Sequence, residues 1–226
     1  AESNRFFLSS VYLGDVYAVD IEGNATLFVQ DERLVSSLGL HVDSDRGWLL
    51  VATADPGVGL RTSEATVGSL AGLGVYDLET GENVAFYNLG ALLPDAAHVA
   101  NDIAVDDMGN IYVTDSFSPV IYRVDAEGEA SVFLQNDALG GEGFQLNGIL
   151  YHPNGYLLVS KSAEGTLYKI PLDAPDDLIQ VGMDEIVGAD GLVLADNKRL
   201  IVVQNALGGG PANAIITLKT KDDWEN

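Results

Sequence analysis

The sequence predicts an all-β chain built as a β-propeller, and three observations lead there. A pair of short apolar strands recurs, as Asn110-Ile-Tyr-Val-Thr-Asp-Ser116 with Val120-Ile-Tyr-Arg-Val-Asp125, and again as Gly155-Tyr-Leu-Leu-Val-Ser-Lys161 with Thr166-Leu-Tyr-Lys-Ile-Pro171. Weaker copies at residues 5–10 with 15–20, 48–52 with 74–78 and 200–204 with 214–218 bring the number to five. Aligning Phe6, Trp48, Ile111, Tyr156 and Leu200 then gives steps of 42, 63, 45 and 44 residues. A period near 45 made of short strands corresponds to one propeller blade per repeat.

Each repeat reads as four strands. The inner one carries a Gly-Leu, Asp-Ile or Gly-Ile step, at residues 37–42, 101–105, 147–151 and 190–194. A turn rich in Asp, Asn and Gly follows, such as Asp106-Asp-Met-Gly-Asn110 or His152-Pro-Asn-Gly155, which is hairpin chemistry. The second strand is almost wholly apolar, as burial on both faces between neighbouring blades requires. The third alternates around Tyr17, Tyr76, Tyr122 and Tyr168, whose shared position is explained by packing between blades. The fourth ends in segments such as residues 25–29 and 130–134. No long helix is expected, and residues 31–37 and 88–97 are the places for a single turn.

The long step of 63 contains an insertion at residues 55–73, between the second and third strands of blade two. It carries Gly57, Gly59, Gly68 and Gly72, with Arg61 among small polar residues. Gly57-Val-Gly59 lacks the βαβ surroundings of a dinucleotide site. Variation in loop length accounts for the insertion; the functional alternative is a lid that points Arg61 at a substrate.

The first repeat lacks its inner strand and the fifth lacks its outer one, leaving roughly 18 strands where six full blades need 24. The expectation is therefore a single β-propeller domain over residues 1–226, of the six-bladed type, incomplete at both ends and covering about four and a half to five blades. The start at Ala1 rather than Met agrees with a processed or trimmed N-terminus.

The absence of Cys excludes disulfides, thiolate nucleophiles and Cys-based zinc sites. No apolar run approaches the ~18 residues of a membrane helix. A formal charge of −23, from 34 acidic against 11 basic residues, repels phosphate and argues against nucleic acid and anionic membranes as partners. It favours an extracellular or periplasmic setting, with a cytoplasmic one as the alternative.

Asn101, Asn147 and Asp190 open three inner strands at the same place in the repeat. Equivalent positions in successive blades point at one axis, so their oxygens should converge, and such donors suit Ca²⁺. Asn and Asp also open strands because they suit turns. Blade two, however, has Leu38 or Gly39 at this position, so the polar entries are not a habit of the repeat. His98 lies three residues before Asn101 and is a candidate general base, against the commoner role of a loop histidine with one local hydrogen bond. His41 and His152 read as structural. No Ser stands in a Gly-x-Ser-x-Gly elbow, so a serine hydrolase lacks support.

His98-Val-Ala-Asn-Asp-Ile-Ala-Val-Asp106 with Gly109-Asn-Ile-Tyr-Val-Thr-Asp115, then Leu146-Asn-Gly148 and Ala189-Asp-Gly-Leu192, resembles the gluconolactonase and regucalcin (SMP-30-like) superfamily. Paraoxonases and diisopropyl fluorophosphatase are its distant relatives. The resemblance covers essentially the whole chain. It implies a six-bladed propeller with one divalent ion, most readily Ca²⁺, held by a first-blade Glu and by residues matching Asn101, Asn147 and Asp190. It also implies hydrolysis of a lactone or related ester, with Asp190 orienting or deprotonating the attacking water and Asn101 positioning substrate as well as metal. The Glu should precede the strand at Arg5 by about a dozen residues; the sequence does not reach that far, and Glu2 sits too close. The alternative, from a different class, is a non-catalytic calcium-binding propeller that binds a ligand or a protein.

Overall fold

The computed structural model describes residues 4–207 and 209–225, so Glu2 lies outside the described residues. The chain folds as two compact units, residues 1–101 and 102–226. The first unit holds a three-stranded antiparallel sheet of β1 (Arg5–Ser9), β2 (Val16–Asp20) and β3 (Ala25–Val29). Its second sheet is four-stranded, with β4 (Ser36–Asp43), β5 (Trp48–Ala54), β6 (Ala71–Asp77) and β7 (Asn83–Asn88) in sequence order. Val16, Val29, Leu34, Leu49, Val51 and Tyr76 form the core between these two sheets.

The second unit begins inside β8 (Ala100–Val105), which is followed by β9 (Ile111–Asp115), β10 (Val120–Val124) and β11 (Ala130–Gln135). The next sheet contains β12 (Leu146–His152), β13 (Tyr156–Lys161), β14 (Thr166–Pro171) and the two-residue β15 (Ile179–Gln180). The last contains β16 (Ala189–Asp196), β17 (Arg199–Gln204) and β18 (Ala214–Lys219). One core, with Tyr112, Ile121, Leu146, Leu157 and Ile170, joins the first two of these sheets. Another, with Leu158, Leu167, Leu192, Leu200 and Trp224, joins the second and third. The second strands β5, β9 and β13 are buried almost throughout, as their unbroken apolar runs require.

The fold is an all-β propeller, and the described residues form 18 strands in five blades. The described residues form five sheets, the first and last of three strands each, against the four and a half to five blades expected of this chain. The turn chemistry is as the sequence indicates. In the β8–β9 hairpin, Asp106 Oδ1 accepts from the N–H groups of Met108 (3.0 Å) and Asn110 (2.8 Å), while Gly109 takes φ +85°. Asp20 and Asp125 repeat the arrangement.

A single turn of 3-10 helix at Leu89–Leu92 falls within residues 88–97. Residues 31–37 instead give one hydrogen-bonded turn, Leu34 N–H to Asp31 O at 3.0 Å, before β4 begins at Ser36. Two further 3-10 turns, Asp137–Leu139 and Pro175–Asp177, escaped the periodicity because three residues carry none. Asn136 caps one of them and Pro175 opens the other. No helix among the described residues is long and apolar enough to cross a membrane.

Candidate metal centre

The inner strands share an irregularity that shapes the site. In β4, Ser37 and Leu40 face Thr53 and Val51; in β12, Leu146 and Ile149 face Lys161 and Val159; in β16, Ala189 and Leu192 face Gln204 and Val202. Three steps along the inner strand thus match two on its partner, which is a β-bulge and re-aims the side chains within it. The bulged pairs are Leu38-Gly39, Asn147-Gly148 and Asp190-Gly191. Glycine serves close approach at Gly148, where a Cβ would stand 2.1 Å from the carbonyl oxygen of Asp190 on the next blade.

Hydroxyls on the second strands fix these bulges across blades. Thr114 Oγ1 of β9 donates to the carbonyl of Asn147 (2.7 Å), and Ser160 Oγ of β13, one blade on, donates to the carbonyl of Asp190 (3.2 Å). Ser116 Oγ donates to the Leu146 carbonyl at 2.6 Å. Asn147 and Asp190 therefore occupy equivalent, braced positions on adjacent inner strands.

Their side chains differ in how well they are satisfied. Asn147 is 9% exposed, and its Oδ1 is buried with no hydrogen-bond partner. An orphaned acceptor of this kind costs about 1–3 kcal/mol. Asp190 accepts from Asn205 Nδ2 and from the Gly191 N–H, yet burial still pushes its pKa up.

Asp102 adds a second half-buried carboxylate. In the aligned stretch of β8 it stands where the other inner strands carry Gly39, Gly148 and Gly191. Its Oδ2 accepts from the Ile149 N–H of β12 at 3.2 Å. Burial raises its pKa to about 6 against the opposing N–H groups of Ile103 and Ile149, and the neighbouring Asp190 charge adds to the rise. Among the described residues, no Lys or Arg figures among the groups that shift either carboxylate. The cluster is thus rich in buried oxygen and short of positive charge.

These donors fit a hard cation. A carboxamide oxygen with carboxylates matches the oxygen-only preference of Ca²⁺, whose remaining positions waters fill. No group of three His, Cys, Asp and Glu residues that could hold a metal occurs among the described residues.

The structure distributes the expected site residues unevenly. Asn147 and Asp190 stand at equivalent bulge positions of β12 and β16 in the second unit. Asn101 is the last residue of the first unit, buried at the start of β8. His98 is 1% exposed, its Nε2 donates to the Leu93 carbonyl (2.9 Å) and its N–H to that of Gly68 (2.8 Å). These bonds brace the loop, the commoner of the two roles the sequence offers for this histidine. The Arg61 guanidinium pairs with Asp15 at 2.8 Å and donates to the carbonyls of Leu13 and Leu34. It ties the insertion to the first blade, where a lid would leave it facing a substrate. The insertion is pinned again at Asp55, which accepts from Gly57, Thr62, Ser63 and Thr66.

Two residues of the cluster were missed from the sequence. Asp102 had a readable signal, since it breaks the glycine position of the repeat. Asn205 had none, because its role depends on a side-chain contact across the β16–β17 pair.

No family model matches the sequence, and no curated protein matches it. Solved structures do. A gluconolactonase structure is 14% identical, covers 99% of this chain with 72% of its own length, and superposes with a TM-score of 0.67. The calcium-binding protein regucalcin from Agrobacterium tumefaciens is 18% identical over 96% of this chain and 72% of its own, with a TM-score of 0.63. Virginiamycin B lyase from Staphylococcus aureus is 12% identical over 92% of this chain, with a TM-score of 0.61. This chain spans only 64% of that lyase. The chain therefore shares the β-propeller fold of these structures.

Proposed function

We propose that the chain is a divalent-cation-dependent hydrolase of a lactone or related ester, with Ca²⁺ as the ion. Asn147 and Asp190 would hold it, and Asn101 enters from its position in the repeat. The observation that carries the reading is the buried, unpartnered Oδ1 of Asn147 beside two carboxylates, Asp190 and Asp102, that lack a counter-cation. When bound, the ion supplies a Lewis acid for the substrate carbonyl. Asp190, fixed by Asn205 and the Gly191 N–H, would orient the attacking water and take its proton. Asn101 would position the substrate. The engagement of His98 and Arg61 in structural bonds favours a second reading, a calcium-binding propeller without catalysis.

Calcium titration by calorimetry on the wild type, Asn147→Ala and Asp190→Ala, with lactone and ester hydrolysis assayed on the same samples, separates these readings. The expected result is one site, weakened at least ~10-fold by either substitution, with turnover that requires the ion. Binding without turnover on a broad panel selects the calcium-binding module. Unchanged binding in both variants removes the site and the function built on it.

A further inference from the structure

We propose that Phe117 and Phe144 form an apolar shelf at the mouth of this site, selecting esters or lactones whose acyl or aryl part is hydrophobic. The inference rests on the hydrolase reading for its chemistry and on separate observations for its place. Phe117 lies in the β9–β10 connection and Phe144 in the β11–β12 connection, at the end where β12 begins with Leu146 and Asn147. The rings touch edge to face, with centroids 4.9 Å apart, while 38% and 41% of the two residues remain exposed. Neither belongs to the cores that join the blades. Two aromatic side chains held together against water on neighbouring loops differ from singly scattered surface apolar residues, which need no explanation.

The shelf is built onto the backbone that carries the metal-site residue. The Gln145 N–H donates to the Ser116 carbonyl (2.9 Å), joining the two loops beside the rings. Ser116 Oγ donates to Leu146 O, one residue before Asn147. The Phe117 N–H donates to Asp115 Oδ1 (3.0 Å), and the Ser162 N–H donates to Gln145 O (2.7 Å), which carries the bracing into the next blade. A shelf fixed in this way loses little conformational freedom when a ligand covers it. The charge of −23 repels anionic substrates, so the part that lies on the rings is neutral as well as apolar.

Two measurements on the wild type, Phe117→Ala, Phe144→Ala and the double variant test the shelf. The first is binding of the neutral fluorophore N-phenyl-1-naphthylamine, read by emission, with Met108→Ala (77% exposed, on the β8–β9 turn) as the control. Binding should weaken roughly 10-fold in the double variant and be unchanged in the control, as expected when the apolar area of two half-exposed rings is lost. The second is kcat/KM for p-nitrophenyl octanoate against the acetate in the presence of Ca²⁺. The octanoate-to-acetate ratio should fall roughly 10-fold in the double variant, with acetate turnover retained. Equal fluorophore affinity in wild type and double variant, or hydrolysis whose chain-length preference ignores both substitutions, overturns the shelf. Loss of fluorophore binding in the double variant, with no hydrolysis of either ester by the wild type, supports the shelf and overturns the hydrolase reading instead.

Discussion

Asp102 occupies a position that is glycine in the other bulged inner strands, so its carboxylate is carried into the packed interior beside β12. The two N–H groups it meets do not offset the loss of water, and its pKa rises to about 6. A folded-state value above the unfolded one, near 3.9, means that the contribution to stability is complete below about pH 4 and is lost as the pH rises through about 6. Asp102→Asn keeps the shape and an acceptor for the Ile149 N–H but cannot ionise. In calcium-free protein at pH 7.5 it should raise stability by on the order of 2 kcal/mol, with no difference at pH 4, measured by urea unfolding at both pH values. Equal or lower stability of the variant at pH 7.5 would show that the burial is compensated without a cation. The equivalence of Asn147 and Asp190 was legible in the sequence because they recur at one place in the repeat. Their bracing was not legible: Thr114 reaches Asn147, and Ser160 reaches Asp190, over 33 and 30 residues, and only the packing of blade on blade brings them together.

At the scale of the strand, the bulges turn a repeated sequence into aimed side chains. Gly148 and Gly191 look interchangeable in sequence, yet they differ in what surrounds them. A Cβ at Gly148 would collide with the Asp190 carbonyl, whereas one at Gly191 meets nothing within 4 Å. Backbone cannot swing aside as a flexible side chain can, so Gly148→Ala must displace β12 from β16. Such overpacking costs roughly 1–3 kcal/mol, and Gly191→Ala should cost far less. Thermal unfolding of the two variants compares them directly, and equal effects would mean that the bulge tolerates a side chain at both blades. Strands and hairpins were readable because their periodicity and Asp-Gly turns are local. The insertion at residues 55–73 was located by its length alone. That Asp55 and Arg61 anchor it depends on partners as far away as Asp15, and no local pattern encodes such a contact.

For the whole molecule, the repeat read correctly as blades, and the roughly 18 strands it implied are the 18 found among the described residues. The five blades of the described residues agree with the four and a half to five expected of this chain, and the six of a whole ring came from the resemblance alone. The end sheets differ from the others in a way that affects stability. In the first, Phe6, Leu8 and Leu27 are each more than half exposed, while Val16 and Val29 pack on the second blade. In the last, Val193 and Ile215 are 58% and 76% exposed, while Leu192, Leu200 and Val202 pack on the fourth. Each end sheet therefore buries one apolar face, where the fourth blade buries two. Since opening free energy follows buried contact, amide exchange should be fastest in β1–β3 and β16–β18 and slowest in β9 and β13, whose residues are buried throughout. If the proposed ion is held by Asn147 and Asp190, calcium should slow exchange selectively around residues 146–148 and 189–191, because it would join strands of the fourth and fifth blades. Uniform protection along the chain would mean that the blades unfold as one cooperative unit. A calcium effect spread evenly over all 18 strands would place the ion's contribution outside the inner-strand bulges.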